Sequence, residues 1–222
     1  MLLLALDTAT PAVTVALHDG SAVIAESAHV DARRHGELLL PAVHRTLKAA
    51  GTELGAVTEI VVGAGPGPYT GLRVGLVTAA TFGSALGVPV HGLCTLDGIA
   101  YAAGQAGLEG PFVVATDARR KEVYWARYDD ARTRVTEPAV DHPADLADRV
   151  AGLPAVGAGA LLYPAAFADV PPGMPEYQSA GALASLAAEK LARGEELPPP
   201  RPLYLRRPDA KVPANYKVVT PK

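Results

Sequence analysis

The chain opens on an apolar run, Leu2–Leu6, that ends at Asp7. A run that is apolar on both faces reads as a central strand covered from both sides. Ala12–His18 carries the β-branched residues Val13, Thr14 and Val15 and reads as a second strand. Asp19-Gly20 is a two-residue hairpin signal, and Ala22–Ala28 is the returning strand. From Glu37 the period changes. Leu38, Leu39, Val43 and Leu47 recur at helical spacing, which predicts a helix over Glu37–Ala50. Pro41 falls in its first turn or so, and Gly51 is its stop. Ile60–Val62 is a short buried strand. A loop of glycine and proline, from Gly63 to Gly71, leads into a second helix near Leu72–Leu86 that Gly87 ends. Val88-Pro89-Val90 opens one more strand.

A three-stranded meander followed by helix-linked strands is the ribonuclease-H-like arrangement of actin-type and sugar-kinase domains. The expected fold class is therefore α/β. Pro111 opens a second block. Phe112–Asp117 and Glu122–Tyr128 read as strands, Asp145–Val150 and Ala182–Arg193 as helices, and Gly152–Gly173 has no clear period. This predicts two subdomains with mixed sheets and helices, over residues 1–105 and 106–222. From Leu197 the chain is proline-rich, which predicts an extended path over the surface.

Composition narrows the function classes. Hydrophobic residues make up 49% of the 222, enough for a real core. Lys and Arg number 20 against 23 Asp and Glu, so no global basic field exists to drive nucleic-acid binding alone. The single cysteine, Cys94, excludes an internal disulfide and a thiolate zinc site, and fits a reduced cytoplasmic compartment. Leu2–Leu6 has no basic flank and is too short for a signal-peptide core. Val74–Val90 carries Gly75, Gly83, Gly87 and Pro89, which argues against a membrane span.

Each candidate for chemistry has a plainer reading beside it. The glycine loop follows a strand and precedes a helix, where an anion is favoured, so Gly65 and Gly67 could touch a nucleotide. It lacks the Gly-Lys-Ser/Thr of a phosphate loop and the spacing of a dinucleotide fingerprint, so a tight turn serves as well. Asp7 stands where a strand-end carboxylate could organise a metal on phosphates, or could satisfy turn N–H groups. Gly71, Gly75, Ala79, Gly83 and Gly87 lie four apart and form one ridge of minimal side chains. Each mid-helix glycine costs ~1 kcal/mol relative to alanine, so close packing must recover it. That packing is either against the domain's own sheet or at a subunit interface. The six histidines show no i,i+4 pair and no His-Glu-x-x-His, and no Gly-x-Ser-x-Gly elbow occurs. These residues therefore offer no metal site and no catalytic group. Asp117–Glu122 is a charged turn that could touch phosphate or be a solvated hairpin tip. Arg201, Arg206, Arg207, Lys211, Lys217 and Lys222 face only Asp209, so the tail is either a solvated extension or an arm for tRNA phosphates.

Several stretches together resemble the TsaB (YeaZ) family. They are Leu4–Thr10, His35–Pro41, Gly63–Gly75 with Arg73, Thr95-Leu96, Asp117-Ala118-Arg119 with Glu122–Ala126, and Pro202–Arg206. They span nearly the whole chain in the family's order. The resemblance implies an actin-like ATPase fold and an accessory role in making threonylcarbamoyladenosine beside the tRNA anticodon. It implies three associations: with the catalytic synthase paralogue TsaD, with the ATPase subunit TsaE, and with a second copy of the chain when alone. tRNA is met through the complex, and ATP or ADP is expected only at a partner interface. The catalytic paralogue carries a His-x-x-x-His metal motif, whereas His35 and His44 here are nine apart. An older peptidase label finds no support in these residues. The expected partner interface is Leu39, Val43 and Leu47 on the first helix and Gly71, Gly75, Ala79 and Gly83 on the second. The alternative is a lone ATP-binding ATPase or kinase, which Asp7 and the glycine loop would serve.

Overall fold

The computed structural model describes residues 1–167 and 169–206. The strands β1 (Leu3–Asp7), β2 (Ala12–His18) and β3 (Val23–Val30) form an antiparallel meander, with Leu6 opposite Val15 and Leu17 opposite Ala25. The strands β4 (Glu59–Gly63) and β5 (Val90–Leu93) add in parallel, giving the order β3-β2-β1-β4-β5. This is the ribonuclease-H-like order, with β1 at the centre. Its unbroken apolar run follows from burial on two sides. Leu4 and Leu6 join the core under α1 (His35–Ala49) and α2 (Tyr69–Leu86), whereas Leu3 and Ala5 join the core under α6 (Ala180–Ala192).

The second sheet is built on β6 (Phe112–Asp117) and β7 (Val123–Asp130), paired antiparallel with Trp125 opposite Ala115. β8 (Thr133–Arg134) and β9 (Ala139–Asp141) pair with β7, and β10 (Ala155–Val156) lies parallel to β6. Both sheets are mixed, as the expected α/β fold class requires. α3 (Thr95–Gln105) lies between them, with Leu96, Ile99, Ala100 and Ala103 in one core with Phe112, Val114 and Tyr128. Most residues of α3 are apolar or small and buried, with Asp97 half-buried and Gln105 exposed. Two side-chain clusters tie α3 to the second sheet. Arg134 Nη1 and the Tyr128 hydroxyl both donate to Asp97 Oδ1, at 2.7 and 2.8 Å. Arg132 makes a two-pronged ion pair with Glu189 of α6, to which the Tyr101 hydroxyl of α3 also donates.

Three expectations shift. The helix foreseen over Asp145–Val150 is a single turn, α4 (Pro143–Leu146), started by Pro143. Gly152–Gly173 holds β10 and a short α5 (Ala158–Leu162). The break near residue 105 separates the two sheets, but α6 and Leu197 return to cover the first sheet. The segment that follows is extended, with Pro198 O accepting from Gly92 N at 2.8 Å and Leu203 N donating to Ala64 O at 2.8 Å. Of the basic tail, Arg207, Lys211, Lys217 and Lys222 lie outside the described residues.

The expected partner interface needs correction. Leu39, Val43, Leu47, Gly71, Gly75, Ala79 and Gly83 are all buried in the chain's own core. The small-residue ridge packs on the first sheet. A side chain at Gly71 would meet the Thr8 carbonyl, one at Gly75 would meet the Thr8 hydroxyl, and one at Gly83 would meet Val90. The four-residue spacing has a packing cause, and the surface lies on the opposite side of the helix. Gly75→Leu is therefore expected to lower the stability of the isolated chain by about 2–3 kcal/mol, through overpacking against Thr8. Urea unfolding of the chain alone checks this.

Candidate functional site

The candidate site is built at the carboxyl end of β1, where Asp7 and Thr8 leave the sheet. Asp7 is fully buried. One carboxylate oxygen accepts from Ala9 N at 2.7 Å and the other from the Thr95 hydroxyl at 2.8 Å. Burial pushes its pKa from 3.8 up to about 6, although both hydrogen bonds pull the other way. The Thr8 hydroxyl donates to Gly71 O at 2.7 Å and accepts from Gly75 N at 2.9 Å. It thus engages a carbonyl and an N–H that stand one turn apart on α2. Only small residues at 71 and 75 let the strand end come this close.

The glycine loop closes onto the same corner. Gly65, at φ +90°, accepts from Thr95 N through its carbonyl at 2.7 Å and donates to the Thr95 hydroxyl at 3.2 Å. A side chain at Gly67 would collide with the Ala9 carbonyl. Ala64 N donates to Leu93 O at 2.7 Å, and Pro66 and Pro68 have no N–H. Of the five residues from 64 to 68, at most Gly67 has a free donor. A phosphate cradle needs several converging N–H groups. The candidate nucleotide contacts Asp7, Gly65 and Gly67 are therefore corrected. The structure does bring them together, but as packing that holds β1, α2 and α3, with Asp7 sealed away from any ligand.

Outside this buried corner a cleft of about 260 Å³ opens between the sheets. Thr10, Arg33 and His35 line it from the first subdomain, Pro68 and Thr70 from the start of α2, and Asp117 and Arg119 from the turn between β6 and β7. His35 Nε2 lies 2.8 Å from the Thr10 carbonyl, so that nitrogen carries the proton. Asp117 accepts from Arg119 N at 2.8 Å and lies 3.8 Å from its guanidinium. No group of three His, Cys, Asp or Glu side chains fit to hold a metal occurs among the described residues. Cys94 is buried, and burial holds its thiol far above the usual range, so it is a packing residue. No described helix is long and apolar enough to cross a membrane.

Some of the arrangement was beyond sequence reasoning. Thr95 stood inside a motif, yet nothing local tied it to Asp7, which is distant in the chain. The exposed pair Tyr69 and Tyr204, with ring centroids 5.3 Å apart, also stood inside motifs, but their pairing had no signal, because the fold alone joins them.

This geometry defines a ribonuclease-H-like, actin-type α/β protein whose own loop fills the place of a phosphate cradle. Comparison with known proteins gives the family. Residues 22–179 match the model of the family described as TsaD: tRNA N6-adenosine threonylcarbamoyltransferase. An uncharacterised protein of Mycobacterium tuberculosis is 47% identical, over 94% of this chain and 93% of that one. The Escherichia coli tRNA threonylcarbamoyladenosine biosynthesis protein TsaB is 37% identical over 58% of this chain and 55% of its own length. YeaZ from Pseudomonas aeruginosa superposes with a TM-score of 0.76 at 32% identity, covering 92% of this chain and 99% of that one. The chain belongs to this family, in its TsaB (YeaZ) branch.

The corner gives a pH prediction. A carboxyl whose folded pKa of about 6 exceeds its unfolded value of 3.8 binds its proton more tightly in the folded state. Its contribution is most favourable below about pH 4 and is lost as the pH climbs to about 6, a difference of about 3 kcal/mol. Asp7→Asn should flatten that fall. Glu189, which Arg132 holds down at about 2, acts in the opposite sense below about pH 4.5, so the windows separate. Urea unfolding of wild type and variant between about pH 4 and 7 reads the difference.

Proposed function

We propose that this chain is a non-catalytic subunit of the machinery that makes threonylcarbamoyladenosine in tRNA, and that it docks the catalytic TsaD-type synthase through the exposed faces of α1 and α2. The observation that carries the docking is the outer face of α2. Val77 is 60% exposed, and Ala80, Thr81, Ser84 and Ala85 lie beside it at helical spacing. They line a shallow, open groove with no charged side chain. On α1, which packs beside α2, Leu40 is 55% exposed. A solvent-facing helix surface of small and apolar side chains admits a second helix at close range. The helices are those expected from the sequence, but the docking residues are the opposite ones.

The related proteins named for threonylcarbamoyladenosine biosynthesis supply the pathway. In this reading TsaE joins the pair, a homodimer forms through the same face when the synthase is absent, and the complex works in the cytoplasm. ATP or ADP belongs to an interface rather than to this chain alone, since Asp7 is buried and the Ala64 and Gly65 N–H groups are spent within the chain. The lone ATPase or kinase reading rested on Asp7 and the glycine loop, both of which are packing elements. A peptidase reading gains nothing from Cys94, whose thiol is buried and held protonated by that burial.

Val77→Arg with Ser84→Arg should leave the melting temperature of the isolated chain within a few degrees, since surface changes cost little. The same pair should abolish both the homodimer and the complex with the synthase, as read by light-scattering chromatography. A mixed complex that survives both changes overturns the α2 surface, and no mixed complex with wild type overturns the subunit reading.

A further inference from the structure

A second apolar surface, sharing no residue with the docking face of α2, lies beside α4 and α5. It is a groove of about 700 Å³. Pro143, Ala144 and Ala147 line it from α4 and its end, and Leu162, Tyr163 and Ala166 line it from the end of α5 and the turn that follows. Leu162 is 54% exposed, and its neighbour Leu161 is 51% exposed. The walls are held in place, because Leu146 of α4, Ala160 of α5 and Phe167 share one buried core with Trp125. A contiguous apolar surface on a fixed frame marks a place where something docks.

The chain itself supplies an occupant at close range. Arg206 is the last described residue, and its position is fixed. Its Nη1 donates to Ala118 O at 2.9 Å, and its guanidinium pairs with Glu122. Glu122 in turn lies 3.9 Å from His142 Nε2, and His142 Nδ1 lies 3.1 Å from Lys121 O. Lys121 and His142 both line the groove. The chain therefore leaves the described fold one side chain away from the groove's wall. Residues 207–222 follow Arg206 in the sequence. A segment of that length can span about 50 Å when extended, so reach sets no limit.

The composition of this segment suits the groove in two ways. Tyr216 and Val218 alternate with Lys217, and Val219 follows, which gives it apolar side chains to lay against alanine and leucine. Arg207, Lys211, Lys217 and Lys222 stand against Asp209 alone. Next to the lining residues Ala144 and Ala147 are Asp145 and Asp148, both exposed. Among the described residues no cation pairs with either, since Arg149 turns to Asp141 at 3.6 Å. Charge and apolarity therefore complement each other across the same surface. Tethering at Arg206 makes the docking intramolecular, at an effective concentration of order mM, so a few apolar contacts are enough.

We propose that residues 207–222 dock in this groove as an intramolecular strap, with Tyr216 and Val218 against the α4 and α5 walls and the lysines toward Asp145 and Asp148. The strap closes the groove to other proteins while it is seated. It stands apart from the subunit reading, since it uses neither α1 nor α2.

The test is thiol reactivity in the full chain. Ala144→Cys puts a thiol on the exposed wall of the groove. The single native cysteine, Cys94, is buried and held protonated, so its background reaction is slow. With the strap seated, the introduced thiol should react about ten-fold or more slowly than in the same chain carrying Tyr216→Ser and Val218→Ser. Tyr216→Phe should keep the protection. Ala165→Cys repeats the measurement from the other wall, which guards against a disturbance of α4 by the first substitution. Equal rates with and without the two serine substitutions, at both thiol positions, overturn the proposal. So does protection that grows with protein concentration, which would seat a second copy of the chain in the groove.

Discussion

The structure turns on a single buried corner, Asp7-Thr8, at the end of the central strand. Two side chains there hold three elements. Thr8 joins β1 to α2 through a carbonyl and an N–H of the helix, and Asp7 joins β1 to α3 through the Thr95 hydroxyl. Because the corner is sealed, each hydrogen bond replaces water that cannot reach it, and a missing partner would leave a buried polar group unsatisfied. The glycine loop is shaped to this need. Its prolines lack donors, and its glycines allow backbone to approach backbone.

That constraint reassigns the fold's inherited cleft. In a nucleotide-binding protein of this architecture the strand-end carboxylate and the loop would face a ligand. Here they face each other, and the N–H groups of Ala64 and Gly65 are engaged within the chain. What remains open above them is a groove lined by threonine hydroxyls, Arg33, His35 and Arg119. The molecule thus keeps the two-sheet frame while its accessible chemistry moves outward, to the rim of the cleft and to the outer side of α2.

The outer side of α2 shows how one helix serves two purposes. Every fourth residue is small so that the helix can lie on the sheet. On the opposite side Val77, Ala80, Thr81 and Ser84 are small or apolar and exposed. The first set contributes to stability, and the second is the face proposed for docking. Substitutions in the first set should affect folding before they affect pairing.

Much of the frame was legible in the sequence. The run Leu2–Leu6 marked a strand buried on both faces, Asp19-Gly20 marked the hairpin, and the leucine spacing after Glu37 marked α1, because period and turn chemistry are local properties. α3 was not read from the sequence, and its place was set by packing between the two sheets. The four-residue ridge was legible as a demand for close approach but not as to what approaches. The same small side chains suit a sheet or a second subunit, and only the packing of Gly75 on Thr8 decided for the sheet. Asp7 likewise had the right type for a metal site, and its role was set by Thr95, far along the chain. Sequence determined which residues must be small, buried or turning. Tertiary structure decided what each one touches, because those contacts join residues that no local pattern relates.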